Sequence, residues 1–234
     1  MIKYAALIVV PALVAVMSVV SAFWRTWDGP AKAGSPAKAG HYVPVEFDIL
    51  YGANCAGCHG ADGKGGAARG LVDPVFLAIT DEATIRRITA AGVPGTAMPA
   101  FATKAGGALT DEQIAAIVGG IRGASTRADT PGDLKPPPYS TSTAGNPERG
   151  DEAFATFCSR CHGADGRGGP GASSIVDASY LSLVSDQDLR TTVIAGRPDL
   201  GAPDWRGNVP GRPMSPEEVS DVVAWLATQR GRMR

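Results

Sequence analysis

Two short motifs contain all four cysteines of this 234-residue chain. Both read Cys-x-x-Cys-His, first at Cys55, Cys58 and His59 and again at Cys158, Cys161 and His162. Two thiols three positions apart on a helical turn reach the two vinyl groups of one haem, and the adjacent imidazole turns toward the iron. The motifs therefore predict two covalently bound haem c groups, with the two histidines as iron ligands.

Other cysteine chemistries account for these motifs less well. Disulfides, a zinc site and a thioredoxin-like redox pair all use cysteines at related spacings. A zinc ribbon places its second pair about 15 to 20 residues after the first, much closer than Cys158 stands to Cys55. A thioredoxin motif needs no histidine, whereas both copies continue as His-Gly-Ala-Asp-Gly. The shared continuation favours haem attachment at both places.

A methionine in the first half is a candidate for the sixth iron ligand, because a thioether sulfur opposite a histidine favours Fe(II). Met98 lies in the loop Gly95–Phe101, next to the rigid Pro99. The alternative is a buried core methionine, which is the commoner role of this residue. The position between two predicted helices and the shortage of other donors favour ligation by Met98.

The second half lacks the matching sulfur, since Ala202 aligns with Met98. Met214 is the methionine near enough in sequence to replace it, but it precedes the predicted N-cap Ser215. A hydrophobic residue there often packs on the fourth helical position, here Val219, as a hydrophobic staple. Both roles of Met214, ligand and staple, stay open from the sequence. If Met214 does not reach the iron, the second haem is five-coordinate or water-ligated.

Helices must position these groups, and the sequence predicts an all-α fold with no convincing strand pattern. Before the second motif, Asn146 is a good N-cap and Pro147 occupies the first helical position. On that helix Phe154 and Phe157 are expected to face the interior as the chain approaches Cys158. The motif is therefore expected to begin where a buried helix ends.

Each motif is followed by two further predicted helices. Short amphipathic helices are expected over Asp81–Ala90 and Asp186–Ala195, each ending at a glycine. Closing helices begin at Thr110 and at Ser215, and Glu218 completes a capping box with Ser215. The same three-helix order therefore occurs in both halves.

The two halves are copies of one unit. Shifted by a constant offset, Asp73 aligns with Asp177, Arg86 with Arg190 and Gly92 with Gly196. The predicted organisation is a membrane anchor at 1–27, a flexible tether at 28–44, a first domain at 45–123, a Pro-rich linker at 124–145 and a second domain at 146–234.

The predicted anchor is an apolar run from Ala5 to Trp24. Such a run of about 20 residues crosses the hydrocarbon core of a bilayer as a helix, and Trp24 and Trp27 fit an interfacial aromatic belt. The alternative is a signal peptide cleaved after Val20-Ser21-Ala22. Covalent haem attachment takes place outside the cytoplasm in bacteria, so we expect the haem domains on the periplasmic side of the cytoplasmic membrane. A formal net charge of −1 gives no support to a nucleic-acid partner.

Each half resembles a class I cytochrome c domain, with its Cys-x-x-Cys-His motif, the following His-Gly-x-x-Gly, a Met-Pro loop in the first copy and a capped terminal helix. Together they resemble the membrane-anchored dihaem cytochromes of bacterial respiratory chains. The resemblance covers Val45–Arg122 and Asn146–Gln229. It implies that the first and last helices of each domain cross beside the haem edge. It also implies ligand sets of Cys55, Cys58, His59 and Met98 for one haem and of Cys158, Cys161 and His162 for the other.

The closing helix of the first half departs from this pattern. The family usually carries an aromatic residue there, which is Trp225 in the second half, but the first half has Gly119 and Gly120. Each glycine costs about 1 kcal/mol relative to alanine within a helix. We therefore expect this helix to depend on a partner surface.

The resemblance implies an electron carrier rather than an enzyme, with no small-molecule substrate. The expected role lies between a quinol-oxidising complex and a terminal oxidase, or as the cytochrome subunit of such a complex. One alternative is a gas or redox sensor that uses an open second haem. Another is a dihaem peroxidase-type enzyme, which needs distal donors for O–O cleavage, and the second half has no histidine besides His162.

Overall fold

The computed structural model describes residues 46–125 and 135–230. The predicted anchor and tether, residues 1–44, lie outside these ranges, so the structure does not bear on them. Among the helices of the two described ranges, none has the length and apolar character needed to cross a bilayer. Both halves of the described chain fall within one compact unit.

The first half is a succession of short helices that ends in a longer one. Its elements are α1 (Phe47–Asn54), α2 (Ala56–His59), α3 (Pro74–Ile79), α4 (Glu82–Ala91), a 3₁₀ turn (Thr103–Ala105) and α5 (Asp111–Ser125). The second half repeats the order with α6 (Pro147–Phe157), α7 (Ser159–His162), α8 (Ala178–Leu183), α9 (Asp186–Ala195), a 3₁₀ turn (Pro198–Leu200) and α10 (Pro216–Gln229). The repeat seen in the sequence is therefore a repeat of structure.

A small hairpin in the second half corrects the expectation that the chain has no strands. Strand β1 (Gly168–Gly169) pairs antiparallel with β2 (Ala172–Ser173). Strands of two residues are too short to show an alternating pattern of apolar and polar side chains, so they could not be predicted from the sequence. The remaining described elements are helical, as predicted.

Several helices begin at the N-cap residues that the sequence predicts. The Asn146 side chain accepts a hydrogen bond from the Arg149 amide at 2.8 Å, and Pro147 is the first residue of α6. Ser215 and Glu218 form the reciprocal capping box of α10. Helix α4 starts at Glu82, one residue later than predicted, because Asp81 is its N-cap and accepts from the Thr84 amide.

Thr110 caps the closing helix of the first half in the same reciprocal way. The Gln113 amide donates to the Thr110 hydroxyl at 3.2 Å, and the Thr110 amide donates to the Gln113 side chain at 2.9 Å. The predicted start of both closing helices is confirmed, with Thr110 and Ser215 as the cap residues.

The first and last helices of each half pack against each other. In the first half the Phe47 ring of α1 lies over Gly120 of α5, where an added Cβ would stand 2.6 Å from a ring carbon. In the second half the glycine is on the first helix: a Cβ on Gly150 would lie 2.7 Å from Cβ of Trp225. The Trp225 ring also stacks on Phe154, with centroids 4.3 Å apart. Each crossing therefore joins one aromatic residue to one glycine, with their places exchanged between the halves.

This packing changes the interpretation of the two glycines in α5. Gly120 leaves room for Phe47, which supplies from α1 the aromatic group that α5 lacks. Gly119 is exposed and has open space where a side chain would point. Packing within the first half therefore explains why position 120 is a glycine. A partner surface is not needed to explain this residue.

An ion pair ties the start of α6 to α10. Asp221 is 5% exposed in its side chain and binds the Arg149 guanidinium through two hydrogen bonds of 2.7 and 2.9 Å. The Asn146 amide donates to the same carboxylate at 2.6 Å. Burial alone would raise the pKa of Asp221, but these hydrogen bonds outweigh it and hold the pKa below its ordinary value.

Candidate haem sites

The first motif begins where α1 ends. The amides of Cys58 and His59 both donate to the Cys55 carbonyl, at 3.2 and 3.0 Å, which closes a tight turn around the motif. Cys55 is buried and Cys58 is exposed, and both are free thiols. The second motif has the same turn, since Cys161 and His162 donate to the Cys158 carbonyl at 3.2 and 3.1 Å. Local hydrogen bonding thus gives both motifs one backbone shape.

A backbone carbonyl holds each motif histidine by its Nδ1 atom. His59 Nδ1 lies 2.8 Å from the Arg69 carbonyl oxygen, and His162 Nδ1 lies 2.9 Å from that of Ser173. A carbonyl only accepts, so Nδ1 carries the proton and donates. The other ring nitrogen, Nε2, keeps its lone pair and is the atom available to a metal.

Electrostatics at the motifs favours uncharged groups. Burial raises the pKa of the Cys55 thiol to about 11 and that of Cys158 to about 12. Burial also lowers the pKa of His59, against the opposing effect of its hydrogen bond to Arg69. Thioether bonds carry no charge and an iron-ligating imidazole is neutral, so both states suit this environment.

Close approach of the chain to each motif requires glycine at equivalent positions. A Cβ on Gly66 would lie 3.0 Å from the Cys58 carbonyl oxygen, and one on Gly169 would lie 3.0 Å from that of Cys161. The Tyr51 hydroxyl adds a bond of 2.9 Å to the Gly60 carbonyl behind the first motif. The free thiols, the oriented imidazole and this tight loop all fit a covalently attached haem at each motif.

The Met98 loop is fixed by its own backbone. The Met98 carbonyl accepts from the Val93 amide at 3.0 Å, and its amide donates to the Thr96 hydroxyl at 3.2 Å. The Met98 side chain is partly exposed. A Cβ on Gly92 would lie 2.8 Å from the Met98 carbonyl oxygen, so the loop packs tightly against the end of α4.

Ala202 occupies the same backbone position in the second half. Its carbonyl accepts from the Arg197 amide at 3.0 Å, just as Met98 accepts from Val93. A Cβ on Gly196 would lie 2.7 Å from the Ala202 carbonyl oxygen, which repeats the contact of Gly92. The alignment of Ala202 with Met98 is therefore structural as well as sequential.

Met214 takes the place that Leu109 has in the first half. The Leu109 amide donates to the Phe101 carbonyl at 2.8 Å, and the Met214 amide donates to the Trp205 carbonyl at 2.9 Å. Leu109 is 4% exposed and Met214 is 2% exposed, so protein atoms enclose both. Val219, the predicted staple partner, belongs to the same buried cluster. The burial and backbone hydrogen bond of Met214 thus match those of Leu109, and ligation of iron by Met214 stays a prediction from the sequence.

The loop that orients His59 also contacts the second half. Nη2 of Arg69 lies 2.5 Å from the Asp188 carboxylate and 2.6 Å from the Thr192 hydroxyl, both on α9. The Arg69 side chain is only 11% exposed. Nearby, Arg197 donates to the Gly66 carbonyl at 2.7 Å. Arg69 could not be predicted from the sequence, because neither its carbonyl acceptor role nor its distant partners have a local sequence signal.

Comparison with known families assigns both halves to one class of protein. Residues 46–119 match the family described as cytochrome c oxidase, cbb3-type, subunit III, and residues 147–230 match the cytochrome c family. Both halves are thus cytochrome c-type domains. The chain is a dihaem c-type cytochrome and carries two covalently bound haem c groups.

Curated relatives point in the same direction. The chain is 31% identical to the cbb3-type cytochrome c oxidase subunit CcoP of Rubrivivax gelatinosus over 87 residues, 35% of this chain and 25% of that protein. It is 29% identical to CcoP of Azospirillum sp. (strain B510) over 172 residues, 65% of this chain and 52% of that protein. CcoP of Rhodobacter capsulatus is 28% identical over 162 residues, 58% of this chain and 52% of that protein. The chain therefore spans about half or less of the length of these relatives.

Among solved structures, a chain of the reducing HAO-like protein complex of Kuenenia stuttgartiensis is similar with a TM-score of 0.43 and 18% identity. The match covers 80% of this chain and 96% of that one.

Proposed function

We propose that this dihaem cytochrome carries electrons in a bacterial respiratory chain and delivers them to a terminal oxidase of the cbb3 type. The duplicated motif, with its histidine held by a carbonyl in both halves, is the observation that carries the proposal. The CcoP relatives, which are named as oxidase subunits, support the choice of partner. The electrons come from a quinol-oxidising complex in this proposal.

The first haem site uses four side chains. Cys55 and Cys58 form the thioethers, and His59 binds the iron through Nε2, because Nδ1 donates to the Arg69 carbonyl. Met98, in its hydrogen-bonded loop, would hold the iron through its thioether sulfur. A methionine thioether favours Fe(II) and raises the reduction potential. The haem supplies a one-electron Fe(III)/Fe(II) couple, and the side chains hold it without making or breaking substrate bonds.

The second haem site uses Cys158, Cys161 and His162 in the same roles. The Ser173 carbonyl replaces that of Arg69 as the acceptor for Nδ1. Ser173 is exposed, whereas the Arg69 side chain is hydrogen-bonded to Asp188 of α9. The residues that accept from the two histidines therefore have different surroundings. Contacts around a ligating histidine tune the reduction potential of its haem, so this proposal expects two different potentials, measurable by redox titration of the loaded chain.

Contact between the halves supports electron transfer from one haem to the other. The loop that carries the Arg69 carbonyl is fastened to Asp188 and Thr192 of the second half. Arg197 fastens the same loop at Gly66. These bonds keep the first histidine loop close to the second domain, which supports the proposal that the two haems exchange electrons.

We further propose that residues 1–27 anchor the chain in the cytoplasmic membrane and that residues 28–44 tether the haem domains on the periplasmic side. The apolar run from Ala5 to Trp24 supports this placement. A signal peptide cleaved after Ala22 is the competing hypothesis. Membrane fractionation and the mass of the mature chain distinguish the two.

The test uses the full chain produced in cells competent in cytochrome c maturation. Its mass should include two haems, and replacing both Cys158 and Cys161 by serine should remove one of them. The haem absorption bands should then report reduction by a quinol-oxidising complex and reoxidation by a cbb3-type oxidase. A chain without haem, or a loaded chain that the oxidase does not reoxidise, would contradict the proposal.

A further inference from the structure

The Met98 loop of the first half and the Ala202 loop of the second half are called the distal loops here. They share one backbone hydrogen bond but differ in the side chain at the position of Met98 and Ala202. Met98 and Ala202 each accept a hydrogen bond of 3.0 Å from the residue five positions earlier, Val93 or Arg197. Where the first half carries a thioether, the second carries a methyl group. A methyl group has no lone pair and cannot bind iron.

The structure accounts for the sulfur that stands nearest in sequence. Met214 is 2% exposed, and its amide is bonded to Trp205 as the Leu109 amide is bonded to Phe101. The Asn208 side-chain nitrogen lies 4.0 Å from the Met214 sulfur. Met214 is therefore part of the packing beneath α10, in the position where the first half uses a residue that cannot ligate.

Other strong iron ligands are scarce in this half. His162 is the single histidine after residue 146, and the last lysine of the chain is Lys135. Met233 is the remaining methionine of the second half and lies outside the described residues. On the distal loop itself, Asp204 pairs with Arg206 at 2.6 Å. The Asp204 carboxylate is thus already paired with a cation.

The surroundings of the loop favour an uncharged occupant. Trp205 is 5% exposed, and its backbone amide donates to the carbonyl of the fully buried Ile194. The Arg206 guanidinium lies 4.9 Å from the centroid of the Trp205 ring, but its charge is paired with Asp204. Bringing an anion next to such apolar groups carries a desolvation cost that a neutral molecule does not meet. A neutral molecule that accepts electron density from Fe(II) fits this chemistry.

We propose that the second haem site binds small neutral diatomic ligands such as CO and NO. They would bind the iron on the side where Met98 would bind it in the first site. This inference rests on the proposed pair of haem sites and adds a binding function to the second of them. The first site stays closed, so the chain takes up one such ligand for every two haems.

The experiment is a CO titration of the dithionite-reduced full chain, followed by the change in the Soret band and normalised to the haem content. The parent chain should bind one CO per two haems. Met98→Ala should double this ratio, Met214→Leu should leave it unchanged, and Ala202→Met should lower it. Circular dichroism of each variant shows whether the helices are retained.

The outcomes separate this inference from the proposed function. A parent chain that carries two haems and binds no CO overturns the inference and leaves electron transfer standing. A Met214→Leu chain that gains CO binding over such a parent identifies Met214 as the sixth ligand, which also overturns it. A chain with fewer than two haems overturns the proposed function, and the inference falls with it.

Discussion

Replacing Gly150 by alanine is the sharpest test of the helix crossing in the second half. Gly150 lies on α6, where an added Cβ would lie 2.7 Å from the Asp221 carbonyl carbon and 2.7 Å from Cβ of Trp225. It would also overlap the Asp221 carbonyl oxygen. These atoms belong to the backbone and the first side-chain carbon of α10, which cannot rotate away. The two helices must therefore separate.

The expected loss of stability is the difference between two effects. Alanine is favoured over glycine within a helix by about 1 kcal/mol. Carbon atoms in contact lie about 3.5 to 4.0 Å apart, so the helices must move by roughly 1 Å. Because the overlapped atoms cannot rotate away, the cost lies in the upper part of the usual range for overpacking, at about 2–3 kcal/mol. We expect a net loss of about 1–2 kcal/mol. For a domain of this size that lowers the melting temperature by about 4–15 °C.

Gly119→Ala is the matched control, because it makes the same change in a helix at an exposed position with open space around it. This variant should be as stable as the parent or more stable by up to about 1 kcal/mol. Thermal and guanidinium unfolding of the haem-loaded chains, followed by far-ultraviolet circular dichroism, gives both values. If Gly150→Ala proves as stable as the parent, the two helices do not cross as closely as described.

Three further predictions concern polar contacts. Asp221→Asn should destabilise the chain at neutral pH by about 1–3 kcal/mol. The fold lowers the pKa of Asp221. Its carboxylate therefore contributes its full stabilisation above the ordinary carboxyl pKa and loses it as the pH falls through the lowered pKa. The difference between parent and variant should therefore shrink in denaturation curves recorded below about pH 4, and a constant difference would argue against the ion pair with Arg149. Asp188→Asn should weaken the hold on Arg69 by about 1 kcal/mol or less, since Asp188 is 40% exposed in its side chain; faster hydrogen exchange in residues 65–70 would report this, and unchanged exchange would contradict it. Ser215→Ala should cost about 0.5–2 kcal/mol through loss of the capping box, and an equally stable variant in chemical denaturation would refute that role.

Features that depend on local chemistry were predictable from the sequence. The caps at Asn146 and Ser215 followed from residue types at fixed spacings, and the structure has both. Phe154 and Phe157 were expected in the core and are 0% and 4% exposed. In each case the partner lies within one or two helical turns, so a single stretch of sequence contains the whole interaction.

Features that depend on distant partners were not predictable in this way. The acceptors of the two motif histidines are backbone carbonyls, of Arg69 and Ser173, and every residue has such a group. The ion pair of Arg69 with Asp188 joins the two halves, and no periodicity reports which charges will meet. The ligand question in the second half was predictable in part. Alignment of the repeats showed that Ala202 replaces the methionine, but only the structure shows that Met214 is buried.

Helix propensity considers a residue alone, so the sequence did not show what lies opposite the glycines of α5. Gly120 is unfavourable as a helix former, yet it provides the space that Phe47 occupies. Whether a glycine weakens or permits a structure depends on what lies opposite, and that is a property of the crossing rather than of the helix.

The exchanged places of aromatic residue and glycine have a consequence for how this duplicated chain assembles. If α1 were to pair with α10, Phe47 would meet Trp225 in a space that holds one ring, and if α6 were to pair with α5, Gly150 would face Gly120 across a void. Two repeats joined in one polypeptide are at risk of trading equivalent segments while they fold. Here the shape of each crossing matches a repeat to its own terminal helix, and in the second half the Arg149–Asp221 ion pair adds a match of charge.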